Sequence, residues 1–299
     1  MRNVLKTAFT VLFSLTGLAT TSAQALTEVV VPSTVERLRE TQVLRIGYGS
    51  AEPFSFTTAS GEVVGYSIDL CKAMAVELRR MLALPDLKLD YVFRTPANRL
   101  QLLNDGSIDI ECNASTNTPE RRKAAAFAPP HFFTQTRFVT LAKNNIRTLE
   151  DLRGKSVSVV LGTVNIGEIL QASRERKLGL VSVPVQEVHE AFDLVTNGRA
   201  SAFAMDDILL YSLIARSGRP EDYRVGDDPL SEAAAYGFMT RLHDTEFADL
   251  VARALKQVYG SPQMREIYDR WFMRPIGDGQ YALNMPMSAE LKAAMGLSD

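Results

Sequence analysis

The feature that most constrains this chain is an alternation of short apolar runs with amphipathic stretches of helical period. Val43–Tyr48 is an apolar run of the length of a buried strand. Behind it, Cys71, Met74 and Leu78 recur at spacings of three and four residues, as on one face of a helix. Leu87–Phe93 then alternates between apolar and polar residues, which is typical of a strand. Strands that alternate with helices predict a mostly parallel sheet flanked by helices.

The alternation continues through a second, smaller unit. The sequence predicts helices at 98–104, 165–172, 190–196, 248–259 and 264–271, and strands at 108–111, 156–161, 181–185 and 200–205. Ser67 is predicted as the N-cap of the helix that contains Cys71. A chain of 299 residues also exceeds the usual size of a single hydrophobic core. The sequence therefore predicts an α/β protein of two lobes that share a cleft, since ligands bind beyond the carboxyl ends of such strands.

The first 25 residues have the order of a secretory signal peptide. Arg2 and Lys6 form a short basic region, residues 7–18 are mostly apolar and uncharged, and Ala23–Ala25 ends a segment of small residues. The apolar stretch is shorter than the roughly 20 residues that a spanning helix needs. No cysteine near the cleavage point can carry a lipid. We therefore expect cleavage after Ala25 and export of residues 26–299 to the periplasm as a soluble protein.

Charge argues against two classes of partner. The chain carries 33 Lys and Arg against 35 Asp and Glu, a net charge of -2, and removal of Arg2 and Lys6 leaves it more acidic. This mild acidity, without a basic patch, argues against binding to nucleic acid or to an anionic membrane surface. After the signal peptide no stretch reaches the length of a spanning helix, so we expect no direct membrane insertion.

Metal binding is not expected. His131, His189 and His243 are scattered without the spacing of metal ligands, and two cysteines are too few for a zinc site. We therefore expect neither a metal nor a cofactor. For Cys71 and Cys112 the sequence leaves two states open, a disulfide formed in an oxidising compartment and a pair of buried free thiols.

The segment at 112–127, CNASTNTPERRKAAAF, has the composition of an anion-binding turn. A predicted strand ends there, small and hydroxylated residues follow, and a helix is predicted to begin at residues 119–121. Free backbone N–H groups, the Thr116 hydroxyl and the Arg121 guanidinium together suit a carboxylate. The composition also fits an ordinary helix start with solvated basic residues, so the residues alone leave both interpretations open.

Five stretches in order carry a resemblance to a known family. They are GYSIDLCKAM (65–74), NRLQLLNDGSIDIECNASTNTPERRKAAAF (98–127), DLRGKSVSVVLGT (151–163), GRASAFAMDD (198–207) and AYGFM (235–239). Together, over residues 36–275, the chain resembles the periplasmic amino-acid-binding proteins of ABC importers (solute-binding protein family 3), nearest the glutamate/aspartate-binding branch. The resemblance implies a two-lobed periplasmic-binding-protein fold of type II. Each lobe is then a mixed, mostly parallel sheet flanked by helices, and the ligand lies between the lobes.

The resemblance also implies a site for the α-carboxylate of an amino acid. Arg121 matches the arginine that holds this carboxylate bidentately. Thr116 and the backbone around Ala114 lie where the family binds the carboxylate and the ammonium. Gly162 and Thr163 match a loop of the second lobe that adds N–H and hydroxyl donors.

Two further residues match the rest of the ligand. Asp206 matches the acid that accepts from the α-ammonium, although a strand-end acid that caps a helix gives the same pattern. Arg99 matches a residue that this branch uses near an acidic side chain, and a surface ion pair is its alternative. An Arg and an Asp from opposite lobes suit a zwitterion, because the ligand then bridges the lobes.

The chain departs from the acidic-ligand pattern at three places. Where the acidic-amino-acid binders carry a basic residue after the first strand, Tyr48-Gly49-Ser50 stands here, which makes Tyr48 a candidate pocket residue. Pro96 stands where the branch tends to carry serine. His189 lies one position away from a ligand-contacting histidine. Glutamate or aspartate remains favoured, with other polar amino acids next.

Lobe bounds follow from the two α/β units. We expect the first lobe at 26–134 plus 239–299 and the second at 139–232, with hinge strands near 134–139 and 233–238. The ligand would stabilise a closed form that differs from the open form by hinge rotation.

The sequence thus predicts a periplasmic binding protein, monomeric and not an enzyme, that passes an L-amino acid to the membrane permease of an ABC importer. One alternative is a periplasmic dehydratase of the cyclohexadienyl or arogenate type on the same fold, with Glu52, Glu111 or Asp207 as the available acid. The other is a free-standing ligand sensor.

Overall fold

Two five-stranded sheets organise the protein, whose computed structural model describes residues 32–276 and 281–297. The predicted signal peptide, residues 1–25, lies outside the described residues. The strands are β1 (Val43–Tyr48), β2 (Phe56–Thr57), β3 (Val63–Val64), β4 (Lys88–Phe93), β5 (Ile110–Glu111), β6 (Ala125–Phe127), β7 (Phe132–Thr134), β8 (Thr136–Leu141), β9 (Ser156–Val160), β10 (Val181–Val185), β11 (Ala202–Asp206), β12 (Tyr223–Val225), β13 (Ala234–Tyr236) and β14 (Met239–Arg241). The helices are α1 (Thr34–Thr41), α2 (Tyr66–Leu82), α3 (Arg99–Asn104), α4 (Asn165–Glu175), α5 (Val188–Thr196), α6 (Asp207–Arg216), α7 (Thr245–Tyr259), α8 (Pro262–Phe272) and α9 (Ala289–Met295).

The two sheets share one design. The first has the order β4-β1-β5-β14-β6 and the second the order β10-β9-β11-β8-β12. In each sheet four strands run in one direction and a single strand, β14 or β8, runs against them. Helix α2 packs on α7 and α8 beside the first sheet, and α4, α5 and α6 pack on the second. The mixed, mostly parallel sheets predicted from the sequence are confirmed, and we call the two parts the first and the second lobe.

The chain passes between the sheets twice, and the two passages lie side by side. Strand β7 leads directly into β8, and β13 leads into β14. Between them, β7 and β13 form an antiparallel ladder in which Phe133 lies opposite Ala235. The ladder therefore stands at the junction of the two sheets.

Parallel pairing brings polar residues to one edge of each sheet. Strand β1 pairs in parallel with both β4 and β5, so Gly49, Arg94 and Asn113 follow three adjacent strands at the same edge. In the second sheet, β9 is followed by Gly162 and β11 ends at Asp206. These are the edges at which sheets of this kind bind ligands.

Helix α2 packs beside this edge and is linked to it by a disulfide. Its buried face includes Cys71, Met74 and Leu78, which confirms the predicted amphipathic helix. Cys71 is joined in a disulfide to Cys112, which follows β5, with the two Cα atoms 6.4 Å apart. Among the described residues, no helix is long and apolar enough to cross a membrane.

The start of α2 differs from the prediction. The N-cap is Gly65, with a φ of 135°, and not Ser67. A Cβ on Gly65 would stand 2.1 Å from the carbonyl oxygen of Phe54, so only glycine fits this close approach. Ser67 instead lies inside the first turn, and its hydroxyl donates to the carbonyl oxygen of Asn113 at 3.3 Å.

Other stretches also differ from the expectation. The helix expected at residues 119–121 is a single 3-10 turn, Arg121–Lys123, because β6 already begins at Ala125. Helix α6 was not predicted, although it starts directly after β11. The remaining predicted strands and helices are present with bounds that differ by a few residues.

We predict that Gly65→Ala destabilises the protein much more than Gly61→Ala. Gly61 also has a positive φ, of 85°, but its Cβ would meet open space, so G61A should cost only the left-handed strain, about 1–2 kcal/mol. G65A adds a backbone clash, and overpacking of this kind costs about 1–3 kcal/mol more. Urea unfolding of both variants measures the difference. Equal losses of unfolding free energy would show that the contact with Phe54 relaxes freely.

Candidate functional site

One carbonyl oxygen joins the two lobes. The carbonyl oxygen of Gly162, in the second lobe, accepts from Nη2 of Arg99 at 2.8 Å and from Nη2 of Arg121 at 3.3 Å. Nη1 of Arg121 also donates to the carbonyl oxygen of Thr116 at 2.8 Å. The structure therefore brings together Arg99, Arg121, Thr116 and Gly162, four of the residues singled out from the sequence.

Gly162 allows this contact because it lacks a side chain. Its φ is 79°, and a Cβ at this position would stand 2.5 Å from the carbonyl oxygen of Pro96 and 2.6 Å from Cα of Ala97. The loop of the second lobe thus lies directly against the turn that precedes α3. The adjacent Thr163 hydroxyl donates to the carbonyl oxygen of Val160 at 2.7 Å, within its own loop.

Asp206 is buried at the facing edge of the second lobe. Its carboxylate accepts a hydrogen bond from the Tyr236 hydroxyl and another from Nδ2 of Asn165, at 2.7 Å. Although Asp206 stands at the N-cap position of α6, its side chain does not cap the helix. The next residue, Asp207, accepts with Oδ1 from the backbone N–H of Ile208 at 2.7 Å. The carboxylate of Asp206 is therefore positioned by Tyr236 and Asn165 and not by the helix that it precedes.

All three buried arginines among the described residues lie in this region: Arg94, Arg99 and Arg121. Arg94 was missed by the sequence analysis; it directly follows β4, and Nη2 of its guanidinium donates to Oε1 of Glu111. The same oxygen accepts from the Ser115 hydroxyl at 3.0 Å. The signal that could have identified Arg94 is its position after a parallel strand, beside the ends of β1 and β5.

The charges of this cluster do not balance. Three buried guanidinium groups face two buried carboxylates, Glu111 and Asp206. Glu168 and Glu187 stand at the margin, half-buried, and desolvation raises the pKa of both, which disfavours their charged forms. Among the fully buried side chains of the cluster, guanidinium groups therefore outnumber carboxylates by one.

Burial shifts the titration of the central groups. Desolvation, with the neighbouring charges of Arg121 and Arg94, lowers the pKa of Arg99 well below its usual value. Desolvation likewise lowers the pKa of Arg121, although the charge of Asp206 opposes this shift. The pKa of Asp206 is raised, again mainly by burial. Burial thus disfavours the charged form of each of these three groups.

The other predicted site residues lie apart from these bonds. The backbone N–H of Ala114 donates to Oδ1 of Asn113 at 2.8 Å. The ring of Tyr48 packs edge-on against Phe93, with centroids 5.6 Å apart. His189 is exposed and lines a cavity of about 890 Å³ whose lining includes none of the three arginines. Within residues 32–276 and 281–297, no group of three or more His, Cys, Asp or Glu residues is arranged to hold a metal.

Comparisons with known proteins agree with this architecture. Residues 44–274 match the bacterial extracellular solute-binding proteins, family 3. The chain is 36% identical over 261 residues to the L-glutamate/L-aspartate-binding protein of Pseudomonas aeruginosa, which covers 87% of this chain and 86% of that protein. It is 34% identical over 262 residues to the glutamate/aspartate import solute-binding protein of Salmonella typhimurium, with coverage of 87% and 86%.

A solved structure extends the likeness to three dimensions. The crystal structure of an ancestral amino acid-binding protein, a precursor of cyclohexadienyl dehydratase, superposes with a TM-score of 0.67 at 29% identity. The match covers 80% of this chain and 99% of that one. The two-lobed α/β fold expected from the sequence is therefore confirmed.

We predict that Asp206→Asn removes a loss of stability that the ligand-free protein shows as pH rises. Because the pKa of Asp206 is higher in the folded than in the unfolded chain, its contribution to stability is complete below the ordinary Asp pKa. It is lost as pH rises through the raised value. Asparagine cannot ionise, so D206N should lack this decline.

Thermal unfolding of wild type and D206N between pH 3 and 8 tests this prediction. Burial lowers the pKa of His131 to about 3, but this residue contributes equally to both curves and cancels in their difference. Asp207→Asn is the comparison variant: it keeps Asp206 but removes a charge that contributes to its raised pKa, so the decline should be smaller than in wild type and still present. Parallel curves for wild type and D206N would contradict the prediction.

Proposed function

We propose that this chain, which belongs to the bacterial extracellular solute-binding proteins, family 3, captures an L-amino acid between its lobes and delivers it to the membrane permease of an ABC importer. Glutamate or aspartate is the favoured ligand. The relatives from Pseudomonas aeruginosa and Salmonella typhimurium are both named for these two amino acids, and the second is named as an import protein. The observation that carries the proposal is the excess of buried positive charge in the cleft.

The net charge of the ligand decides how well it completes the cluster. A neutral amino acid is a zwitterion with no net charge, so it leaves the excess guanidinium charge uncompensated. Glutamate and aspartate carry one more carboxylate, which supplies the missing negative charge. An uncompensated buried charge costs several kcal/mol, whereas a hydrogen bond to a charged group contributes about 1.5–3 kcal/mol.

The α-carboxylate is assigned to Arg121. This guanidinium is already oriented by its bond to the carbonyl oxygen of Thr116, and its planar fork suits a carboxylate bidentately. Ligand entry replaces the long bond to the carbonyl oxygen of Gly162. Thr116 and Ala114 from the first lobe, and Gly162 and Thr163 from the second, are assigned the remaining hydrogen bonds to the α-carbon groups.

The α-ammonium is assigned to Asp206, and the side-chain carboxylate of the ligand to the region of Arg99. A carboxylate offers about four lone-pair positions, of which Tyr236 and Asn165 occupy two, so acceptors remain for an ammonium group. The ammonium also compensates the buried negative charge. Arg99 donates only to the carbonyl oxygen of Gly162 among the described contacts, which leaves the rest of its fork for the ligand.

Closure is assigned to the strands that connect the sheets. The ladder of β7 and β13 overlaps the proposed hinge strands near 134–139 and 233–238. The lobes then comprise 26–134 plus 239–299 and 139–232. A ligand held by Arg121 from one lobe and Asp206 from the other stabilises the closed arrangement.

The proposed location is the periplasm, reached through a signal peptide at residues 1–25, and the proposed state is a monomer. The family description as extracellular supports export. No enzymatic step is proposed. The acids available to a dehydratase are engaged in the structure, since Glu52 pairs with Arg216, Glu111 with Arg94, and Asp207 accepts from Thr134.

We predict that Arg121→Ala weakens glutamate binding by about 2–5 kcal/mol, because the α-carboxylate loses its buried charge partner. Arg122→Ala is the matched control, since the adjacent Arg122 is exposed and its Nη1 donates to Asn117. Isothermal titration of both variants with glutamate measures the difference.

R122A should bind as wild type does. Equal affinity of R121A and wild type would remove Arg121 from the site. If prephenate or arogenate stabilises the wild type against heat and no amino acid does, the transport proposal fails and the dehydratase reading replaces it.

A further inference from the structure

Arg94 occupies a position to which the sequence patterns assign no role. It follows β4 at the carboxyl edge of the first sheet, and its backbone N–H donates to the carbonyl oxygen of Tyr48 at 2.8 Å. Its side chain, 3% exposed, crosses the end of β1 to reach Glu111 on β5. The guanidinium therefore lies under Gly49, at the edge where the cleft begins.

The charge of Arg94 acts on other titratable groups of the cluster. It contributes to the lowered pKa of both Arg99 and Arg121. It also acts on Glu187, which belongs to the second lobe. Arg94 thus belongs to the buried cluster of charged groups and not to the outer surface.

Two buried N–H donors near Arg94 have no partner. Nε of Arg94 and Nδ2 of Asn113 are both buried without a hydrogen bond within the described structure. A Cβ on Gly49 would stand 2.8 Å from Nδ2 of Asn113 and 3.1 Å from Nη1 of Arg94. The side chains of Arg94 and Asn113 therefore meet beside Gly49, where a residue with a side chain would clash with both.

A second ion pair lies at the opposite edge of the same sheet and can be compared with this one. At the amino edge of the sheet, Arg37 pairs with Asp109, and both carboxylate oxygens of Asp109 also accept from Arg45. Nη1 of Arg37 donates in addition to the carbonyl oxygen of Val43 at 3.0 Å. Nε of Arg45 is unpartnered at the amino edge, whereas at the carboxyl edge a donor and an acceptor of the ion pair itself, Arg94 Nε and Glu111 Oε2, are both unpartnered. Buried donors without acceptors are unfavourable unless a ligand completes them.

The charge of Arg94 acts on the neighbouring Arg99. We propose that Arg94 determines specificity in that region, and that its guanidinium, oriented by Glu111, binds the side-chain carboxylate of an acidic amino acid together with Asn113. A carboxylate accepts from two N–H donors at once and supplies the negative charge that three buried arginines require. An amide side chain supplies neither the charge nor a second acceptor. The inference rests on the proposed function and deepens it, because it identifies which residue separates glutamate from glutamine.

The test is the ratio of glutamine to glutamate dissociation constants, measured by titration calorimetry on the wild type and on the double variant R94Q/E111Q. The double change removes one buried charge of each sign, so the net charge of the cluster is unchanged and the experiment tests the Arg94 guanidinium itself. Binding through Arg94 predicts that the ratio falls at least about tenfold, through weaker binding of glutamate with glutamine little changed. The control is R37Q, which disturbs the ion pair at the opposite edge and should lower the melting temperature without changing the ratio.

The outcomes separate this inference from the proposed function. A folded R94Q/E111Q that keeps the wild-type ratio within threefold, or that weakens both ligands equally, overturns the role of Arg94 and leaves amino-acid binding intact. A wild type that binds no amino acid overturns the proposed function and the inference with it.

If R94Q/E111Q does not fold, arginine side-chain NMR of the wild type decides. The Nε–H signal of Arg94, assigned with R94K, should shift on addition of glutamate and stay in place with glutamine. A signal that neither ligand moves overturns the proposal.

Discussion

Burial of three guanidinium groups at one edge of the first sheet is the constraint on which the cleft depends. Water cannot solvate Arg94, Arg99 and Arg121, so the protein must supply acceptors, and it does so only in part. The second lobe contributes the carbonyl oxygen of Gly162, which accepts from two of them. The ligand we propose supplies the remaining negative charge. Binding of the anion therefore stabilises the closed arrangement of the lobes.

Tyr236 links this electrostatic balance to the proposed hinge. It ends β13, forms an isolated bridge with Thr116 of the first lobe, and donates its hydroxyl to Asp206 of the second. The proposed partner of the α-ammonium is therefore bonded to a residue of the connecting ladder. A change in the charge or position of Asp206 acts directly on the strands about which the lobes are proposed to rotate.

The sequence predicted correctly the elements whose structure depends on neighbouring residues, and it failed where contacts distant in the chain decide. Strands β1 and β10 coincide with their predicted bounds, because a short run of strand-forming residues between turns is sufficient to recognise such a strand. The N-cap of α2 was predicted wrongly because the need for glycine at position 65 comes from the backbone of Phe54, eleven residues earlier in the chain, and not from its neighbours. Arg94 was missed for a similar reason, since a lone arginine after a strand looks like a surface residue until Glu111, from another strand, is placed beside it. The roles of Arg121 and Asp206 were assigned through the resemblance, because the residues alone left other interpretations open, and they remain predictions.

The comparison of glutamate with glutamine on the wild-type protein tests the central claim most directly, because the two ligands have nearly the same shape and differ in one charge. If the excess of buried positive charge selects the ligand, calorimetric titration at neutral pH should show glutamate binding at least about 30-fold more tightly. This is the lower end expected for a buried charge pair worth about 2 kcal/mol. Equal affinities, or a preference for glutamine, would show that the charge of the cluster is balanced without the ligand and would contradict this account.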